Sequence, residues 1–490
     1  MRSPMKRFVN AFGPFALCAA TTLLQAESFS TLVTFDKTNG AIPNAPLVQG
    51  TDGDFYGTTS DFGNGTVFKI SSSGVLTTLY SFCAQTGCTD GSDPLSGLIQ
   101  ATDGNFYGTT FAGGPGSHSY GTVYRITRLG SLTTLYSFCA KTKCADGANP
   151  EAGLMQAADG DFYGSTSEGG LNEVGTIFKI TQAGVLTTLY SFCAQTGCTD
   201  GLHPSGLVEA TDGSLLGTTS AGGASSACDQ GCGTIFTITP HGTLTTLYSF
   251  AGTDGQSPNA IIQGTDGNLY GTTYGGGAGN AGTVFKITLA GALTTLYSFS
   301  ALNTLDIHGF KPTSGLIQAT DGNFYGTSQG GSGYNYDDCV NGCGTLFRIT
   351  PTGTLTTLHL FCSQTDCGAV PYAGLIQATS GEFYGSTEWG GSDSCSAGFG
   401  CGTLFSLSIG LGSFVEPQTT SGKVGAEVKI LGNALTGTTS VTFNGTPAAF
   451  SIPASSVITA TVPVGATSGL LQVVAPRGTL SSNVPFTVVP

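Results

Sequence analysis

Carboxylates are the side chains best placed for acid–base work in this 490-residue chain, and the loop acids are Asp337-Asp338, Glu168 and Glu388. Two such groups flanking a glycosidic bond would supply the acid and the base or nucleophile of a carbohydrate-active hydrolase or lyase. Trp389, the only tryptophan, follows Glu388 directly. An indole on a loop can stack on a sugar ring, and packing against a neighbouring segment is its plainer use. His118, His203, His241, His308 and His359 are scattered, none within H-E-x-x-H, and no G-x-S-x-G elbow stands between a strand and a helix. No catalytic residue is therefore assigned. Asp52-Gly53-Asp54 and Asp159-Gly160-Asp161 invite a calcium reading, but no EF-hand ligand set follows, and Asp-Gly is a hairpin turn. No cofactor or metal is expected.

Fourteen of the fifteen cysteines fall into local pairs. Cys83/Cys88, Cys139/Cys144, Cys193/Cys198 and Cys362/Cys367 share one spacing; Cys228/Cys232, Cys339/Cys343 and Cys395/Cys401 lie elsewhere in their units. These spacings without flanking histidines do not match zinc sites, so seven loop disulfides are expected.

What positions these residues is a repeat. TDGNFYGTT recurs seven times with small changes, its second residue at Asp52, Asp103, Asp159, Asp212, Asp266, Asp321 and Ser380, so the units are 51 to 59 residues long. Each unit reads as four short strands: in one, Ser96–Thr102, Asn105–Thr110, Gly121–Thr127 and Ser131–Phe138, separated by Asp-Gly, a Gly-rich loop and a tight turn. Four antiparallel strands repeated radially make a β-propeller. The seventh unit lacks its LTTLYSF run, and FSTLVTF (Phe29–Phe35) supplies one at the start of the chain. The expected fold is all-β: a seven-bladed propeller over 27–408 closed by an N-terminal strand, a linker over 409–413, and a small immunoglobulin-like sandwich over 414–490.

Residues 1–26 read as a signal peptide, with Arg2, Lys6 and Arg7 before an apolar stretch. No later run is long and apolar enough to span a bilayer. Net charge is −14, which argues against nucleic acid and anionic membranes as partners. A secreted or cell-surface protein is expected; its oligomeric state is not legible.

The turns after the first and third strands are minimal, whereas the loops after the second and fourth are long, variable and hold every cysteine pair. Function is expected on that variable face. Asp61, Phe111, Glu168, Tyr274, Gln329, Glu388 and Trp389, just after the second strands, form the candidate ligand site. A second ring on the innermost strands is Gln49, Gln100, Gln156, Glu209, Gln263, Gln318 and Gln377, read first as amides bonding adjacent blades within a channel.

The DGNFYGTT, GTVFKIT and LTTLYSF segments, recurring in order over Phe29–Ser408, resemble the GloVer-type tandem repeat of exported bacterial proteins. That resemblance implies an extracellular propeller and no particular activity. The Asp-Gly-Asn-Phe-Tyr pattern is also similar to NHL-type propellers. Phe414–Pro490 resembles an IPT/TIG domain at Gly422, Gly425, Val428, Ile430, Gly432, Val441, Phe443, Gly445, Ile458, Val462, Pro463, Gly469, Val473 and Phe486, which implies a spacer or interaction module. The leading expectation is a non-catalytic module binding an extracellular polysaccharide or protein; the alternative is the carbohydrate-active enzyme using loop carboxylates.

Overall fold

β-Branched and aromatic residues alternating with turn-forming Asp-Gly and Ser-Gly pairs commit each unit to short strands. The computed structural model describes residues 27–60, 64–115, 120–210, 213–300, 308–331, 342–361, 368–392, 395 and 400–489. The expected leader 1–26, Asp61, His118, Asp337, Asp338, Cys339, Cys362 and Cys367 lie outside the described residues. Between residues 28 and 408 the chain forms seven four-stranded antiparallel sheets. In six, four successive strands pair in chain order, as in Ile99–Gln100, Phe106–Thr110, Thr122–Ile126 and Leu132–Ser137 of the second sheet. The seventh takes Ile376–Gln377, Phe383–Thr387 and Thr403–Ser408 from the last unit and its outer strand, Ser28–Thr34, from the beginning of the chain. Ser28 lies opposite Ser408 and Thr34 opposite Thr403.

The first strand is shorter than its sequence pattern suggests in five of the seven units. The run expected over Ser96–Thr102 pairs only at Ile99–Gln100, while the fourth and fifth sheets have eight-residue first strands, Leu202–Glu209 and Gln256–Gln263. The cause is spacer length. Two residues separate Pro204 from Leu207 and Pro258 from Ile261, and a bulge absorbs them. Three separate Pro94 from Leu98, and the extra residue breaks the ladder.

Neighbouring sheets lock together through the second strands, FYGTT, which are wholly buried. Tyr56 stacks on Phe106, Tyr107 on Phe162, Tyr270 on Phe324 and Tyr384 on Phe55, with ring centroids 4.0–4.2 Å apart. Each of these tyrosine hydroxyls returns to the turn before it: Tyr56 donates to Asp52 (2.7 Å), Tyr107 to Asp103 (2.9 Å), Tyr270 to Asp266 (2.8 Å) and Tyr384 to Glu382 (3.0 Å). The repeated Asp thus anchors a buried phenol. The glycine of FYGTT is required by contact: a Cβ on Gly57 would stand 2.6 Å from Phe68 Cζ and 2.7 Å from Leu47 Cδ2.

The glutamines of the inner strands supply the polar half of the same contact. Gln100 Oε1 accepts the Thr51 N–H (2.8 Å), Gln156 that of Thr102 (3.0 Å), Gln318 that of Thr265 (2.8 Å), Gln377 that of Thr320 (3.0 Å) and Gln49 that of Thr379 (2.9 Å). Their amide nitrogens turn back to their own hairpins, Gln100 to the Gly104 carbonyl and Gln318 to that of Gly322. Glu209 receives the Ala158 N–H in the same way, and burial raises its carboxyl. Gln263 donates to the Gly267 carbonyl at 3.1 Å.

The C-terminal residues form two further four-stranded sheets, one containing Glu427–Leu431 and Val457–Thr461, the other Ser440–Phe443 and Leu471–Ala475. They enclose Val428, Ile430, Val441, Phe443, Ile458, Leu471, Val473 and Phe486. This sandwich docks on the Asp-Gly turns. Ser456 Oγ donates to the Thr51 carbonyl (2.7 Å), Lys429 Nζ to that of Thr102 (2.7 Å), and Gln418 Nε2 to those of Gln100 and Ala101 (both 3.0 Å). Glu416 lies in this interface with no hydrogen-bond or ion-pair partner among the described residues, and burial raises its carboxyl to about 7.

Two stability predictions follow from buried groups. The Tyr124 hydroxyl is buried without a partner where the other sheets carry phenylalanine, such as Phe68 and Phe178. Tyr124→Phe should therefore raise stability by roughly 1 kcal/mol in urea denaturation; an unchanged or lowered midpoint would show that the hydroxyl is solvated. Glu416 ionises less readily folded than unfolded, so its contribution is complete below about pH 4 and is lost as pH rises through 7. Glu416→Gln should be more stable than the parent at pH 8, by roughly 1–3 kcal/mol, with the gap closing by pH 5. Thermal melts across that range read it directly.

Candidate functional site

Opposite the docked sandwich, each sheet carries a proline-centred segment, before the first strand in five sheets and within it, at Pro204 and Pro258, in the fourth and fifth. The residue before that proline is Ile42, Asp93, Asn149, His203, Ser257, Lys311 or Val370. All seven adopt a left-handed backbone, φ between 51° and 59°, and none is glycine. Such a conformation costs on the order of 1 kcal/mol or more for an L-residue. The hydrogen bonds explain it. The N–H of each reaches a carbonyl of the preceding sheet, as Lys311 does to Ala281 (2.7 Å) and Val370 to Cys343 (2.7 Å). Its carbonyl turns the other way, to the residue after the second strand: Asp93 accepts from Phe111 (2.8 Å), Lys311 from Gln329 (3.0 Å) and Val370 from Glu388 (3.0 Å). The strained residue thus clamps two sheets and fixes the candidate positions in one geometry.

The candidate residues separate into two registers. Phe111, Tyr274, Gln329 and Glu388 directly follow the five residues of the FYGTT motif; Glu168 and Trp389 are one residue further along, so their side chains leave on the other side. The Tyr274 hydroxyl donates to Gln329 Oε1 at 3.4 Å, and Lys311 Nζ stands 5.2 Å from the Tyr274 ring centroid. Glu388 accepts a hydrogen bond from the Trp389 side chain, and its carboxyl is raised by burial. Trp389 packs against the cluster of Phe383, Phe405 and Ala369, so it supports Glu388. Phe111 is half-buried, and its carbonyl accepts from Asn149 Nδ2 at 3.2 Å.

Sequence reasoning missed the residues beside the proline. Tyr372 follows Pro371, is 44% exposed, and has its phenol raised first by its protein surroundings and then by the charges of Glu388 and Glu151. Tyr274, 36% exposed, acts on the same phenol, so these groups stand near one another on this face. Glu151 follows Pro150; its carboxyl is raised by its surroundings and by Glu168, and lowered by the Ser167 hydroxyl at 3.2 Å and by His203. His203 Nδ1 lies 2.8 Å from the Ser167 carbonyl oxygen. Four sheets contribute to this set. The signal was available: a proline at the same place in every unit, preceded by a residue that never repeats.

Disulfides tie down the surrounding loops. Cys83–Cys88, Cys139–Cys144, Cys193–Cys198, Cys228–Cys232 and Cys395–Cys401 are bridged. The loop after the fourth strand also folds around a buried aspartate: Asp90 accepts from the Tyr80 hydroxyl (2.8 Å) and the Ala84 N–H (3.0 Å), and Asp146 and Asp200 repeat the arrangement. Among the described residues no helix is long and apolar enough to cross a membrane.

Comparison with known proteins follows the same division of the chain. No curated protein matches it. Solved structures similar to it include the extracellular domain of a Bacteroides thetaiotaomicron protein described as a hybrid two-component system (10% identity, covering 92% of this chain and 53% of that one, TM-score 0.47). Others are a luciferin-regenerating enzyme (12%, 65% and 92%, TM-score 0.39) and a Lactobacillus plantarum protein (18%, 65% and 84%, TM-score 0.41). The model of the Gloeobacter/Verrucomicrobia repeat matches residues 21–227 and 203–448, and that of the IPT/TIG domain matches residues 413–488. The chain therefore belongs to the Gloeobacter/Verrucomicrobia repeat family and carries a C-terminal IPT/TIG domain.

Proposed function

We propose that the seven sheets are the blades of a closed propeller, sealed by the N-terminal strand, and that Tyr274, Tyr372 and their neighbours, opposite the IPT/TIG domain, line a depression that binds an extracellular polysaccharide without turning it over. Ring closure is supported by the Ser28–Thr34 pairing with Thr403–Ser408, the Gln49 bond to Thr379, and the Tyr384–Phe55 stack. Export fits the five described disulfides, which persist in oxidising compartments. The observation that carries the binding reading is the contrast between backbone and side chain on this face. The left-handed clamp repeats in every blade, while the residue before its proline differs in all seven, and the residue after the FYGTT motif is serine in three and Phe111, Tyr274, Gln329 or Glu388 in the others, as an asymmetric ligand requires. Exposed phenols of Tyr274 and Tyr372, flanked by the Gln329 amide and the Glu151 and Glu388 carboxyls, offer stacking faces beside hydrogen-bonding groups. The IPT/TIG domain then acts as spacer or docking module on the other face.

A second reading is favoured by the raised carboxyls of Glu151 and Glu388, the direction in which a general acid is shifted. A single assay separates the two. Residues 27–490 are depleted from solution by insoluble polysaccharides and bacterial cell walls, with release of reducing or unsaturated ends followed in parallel. Selective depletion is expected, weakened about tenfold or more in Tyr372→Ala and Tyr274→Ala, a loss of 1.4 kcal/mol per decade. No sugar release is expected. Release abolished by Glu388→Gln or Glu151→Gln would establish the enzyme; depletion unaffected by the tyrosine variants would remove the depression as the binding site.

A further inference from the structure

The docked IPT/TIG domain closes the turn end of the inner strands over a cavity of about 460 Å³. Its walls are hydrocarbon from five sheets and the sandwich, chiefly Val48, Ile99, Ile262, Ile317, Ile376 and Leu431. Into this space the IPT/TIG domain brings three oxygen acceptors: Glu416, Gln418 and Asn483. Gln418 Oε1 and Asn483 Oδ1 are buried with no hydrogen-bond partner. The Gln418 amide cannot be turned to relieve this, because its nitrogen already donates to the Gln100 and Ala101 carbonyls. Four of the five glutamines of the wall, Gln100, Gln263, Gln318 and Gln377, donate instead to the carbonyls of Gly104, Gly267, Gly322 and Gly381. Glu416 has no partner among the described residues and is the only ionisable group lining this cavity. Glu209 lines the adjoining cavity of about 580 Å³, and Lys429, on the strand beside Glu416, is committed to the Thr102 carbonyl.

A carboxylate without a partner in an apolar cavity asks for a donor that carries positive charge on a hydrocarbon body, and the unpartnered amide oxygens buried beside it add to the negative potential. We propose that this cavity is a binding site for an organic monocation, an ammonium group on an aliphatic chain. The ammonium pairs with Glu416, and the chain lies along the isoleucine walls. A bare calcium ion suits the site poorly, since it takes six to eight oxygen ligands and gains nothing from hydrocarbon. The site is remote from the depression of the opposite face and is independent of what that face binds. Because the empty cavity holds the Glu416 carboxyl at about 7, binding of the cation should strengthen as pH rises to 8 and weaken about tenfold per unit below 7.

Titration calorimetry of residues 27–490 with hexylammonium tests this, with hexanol and calcium chloride as comparators. Hexylammonium is expected to bind at pH 8, about tenfold more weakly at pH 6, and at least about tenfold more tightly than hexanol. Glu416→Gln should abolish the preference for the ammonium over the alcohol. Ile317→Trp, which narrows the cavity along the path of the chain and leaves the charge, should weaken both, so a folding failure of one variant does not decide the matter. Absence of hexylammonium binding, equal binding of hexanol, an unaltered preference in Glu416→Gln, or binding of calcium alone would each overturn the assignment.

Discussion

Everything in the repeat depends on each sheet finishing its neighbour. A four-stranded blade leaves two things exposed on its inner half: the aromatic face of its second strand and the N–H at the end of its first. The next sheet supplies both, a phenylalanine against the tyrosine and a glutamine oxygen against the N–H. Apolar burial gives most of the energy, roughly 1.5–3 kcal/mol for each aromatic ring. The buried hydrogen bond sets the register, because a slipped sheet would leave the N–H unpaired at a cost of about 1–3 kcal/mol. Substitution within the unit obeys this logic. Where the fourth unit replaces Phe-Tyr by Leu215-Leu216, Tyr163 of the third sheet packs on Leu215, and Glu209 keeps the glutamine's acceptor role.

The proposed site inherits that division of labour. Backbone and inter-sheet contacts are spent on the scaffold, so side chains at the loop end are free to differ. The left-handed residue before each proline is where the two roles meet. Its strain is sustained by a hydrogen bond to each of two sheets, and the same bonds hold Phe111, Gln329 and Glu388 in place. The Asp-Gly end, with minimal turns, has little room for diversity and instead offers a flat rim on which the IPT/TIG domain seats through carbonyl contacts at Thr51, Gln100, Ala101 and Thr102.

Much of this was legible in the sequence. The repeat period, the four runs per unit and the borrowed Phe29–Phe35 strand all depend on local patterning, which sequence records. The glutamine ring was visible as a column of like residues at Gln49, Gln100 and their equivalents. What escaped depends on geometry across units. The one-residue difference between Pro94–Leu98 and Pro204–Leu207 decides whether the first strand pairs or breaks, and it looks negligible in one dimension. Phe111 and Trp389 seemed equivalent by position, but they occupy alternate registers, so one belongs to the loop rim and the other to the core. Tyr372 and Glu151 were overlooked because a proline neighbour reads as a turn, and nothing local says that these turns converge. The seating of the IPT/TIG domain, and with it the solitary Glu416, rests on contacts more than 300 residues apart in the chain and leaves no local trace.

The central claim is that mutual completion joins first and last sheets as firmly as any other pair. Native-state hydrogen exchange of the N–H groups that the glutamines accept, at Thr51, Thr102, Thr265, Thr320 and Thr379, tests it most directly. Equal bonding predicts protection of Thr379 within about tenfold of Thr102, with all five opening in one cooperative unit. Exchange at Thr379 and along Thr403–Ser408 about a hundredfold faster than at Thr102 would show that the sheets form an open row with a frayed seam, and would contradict the account.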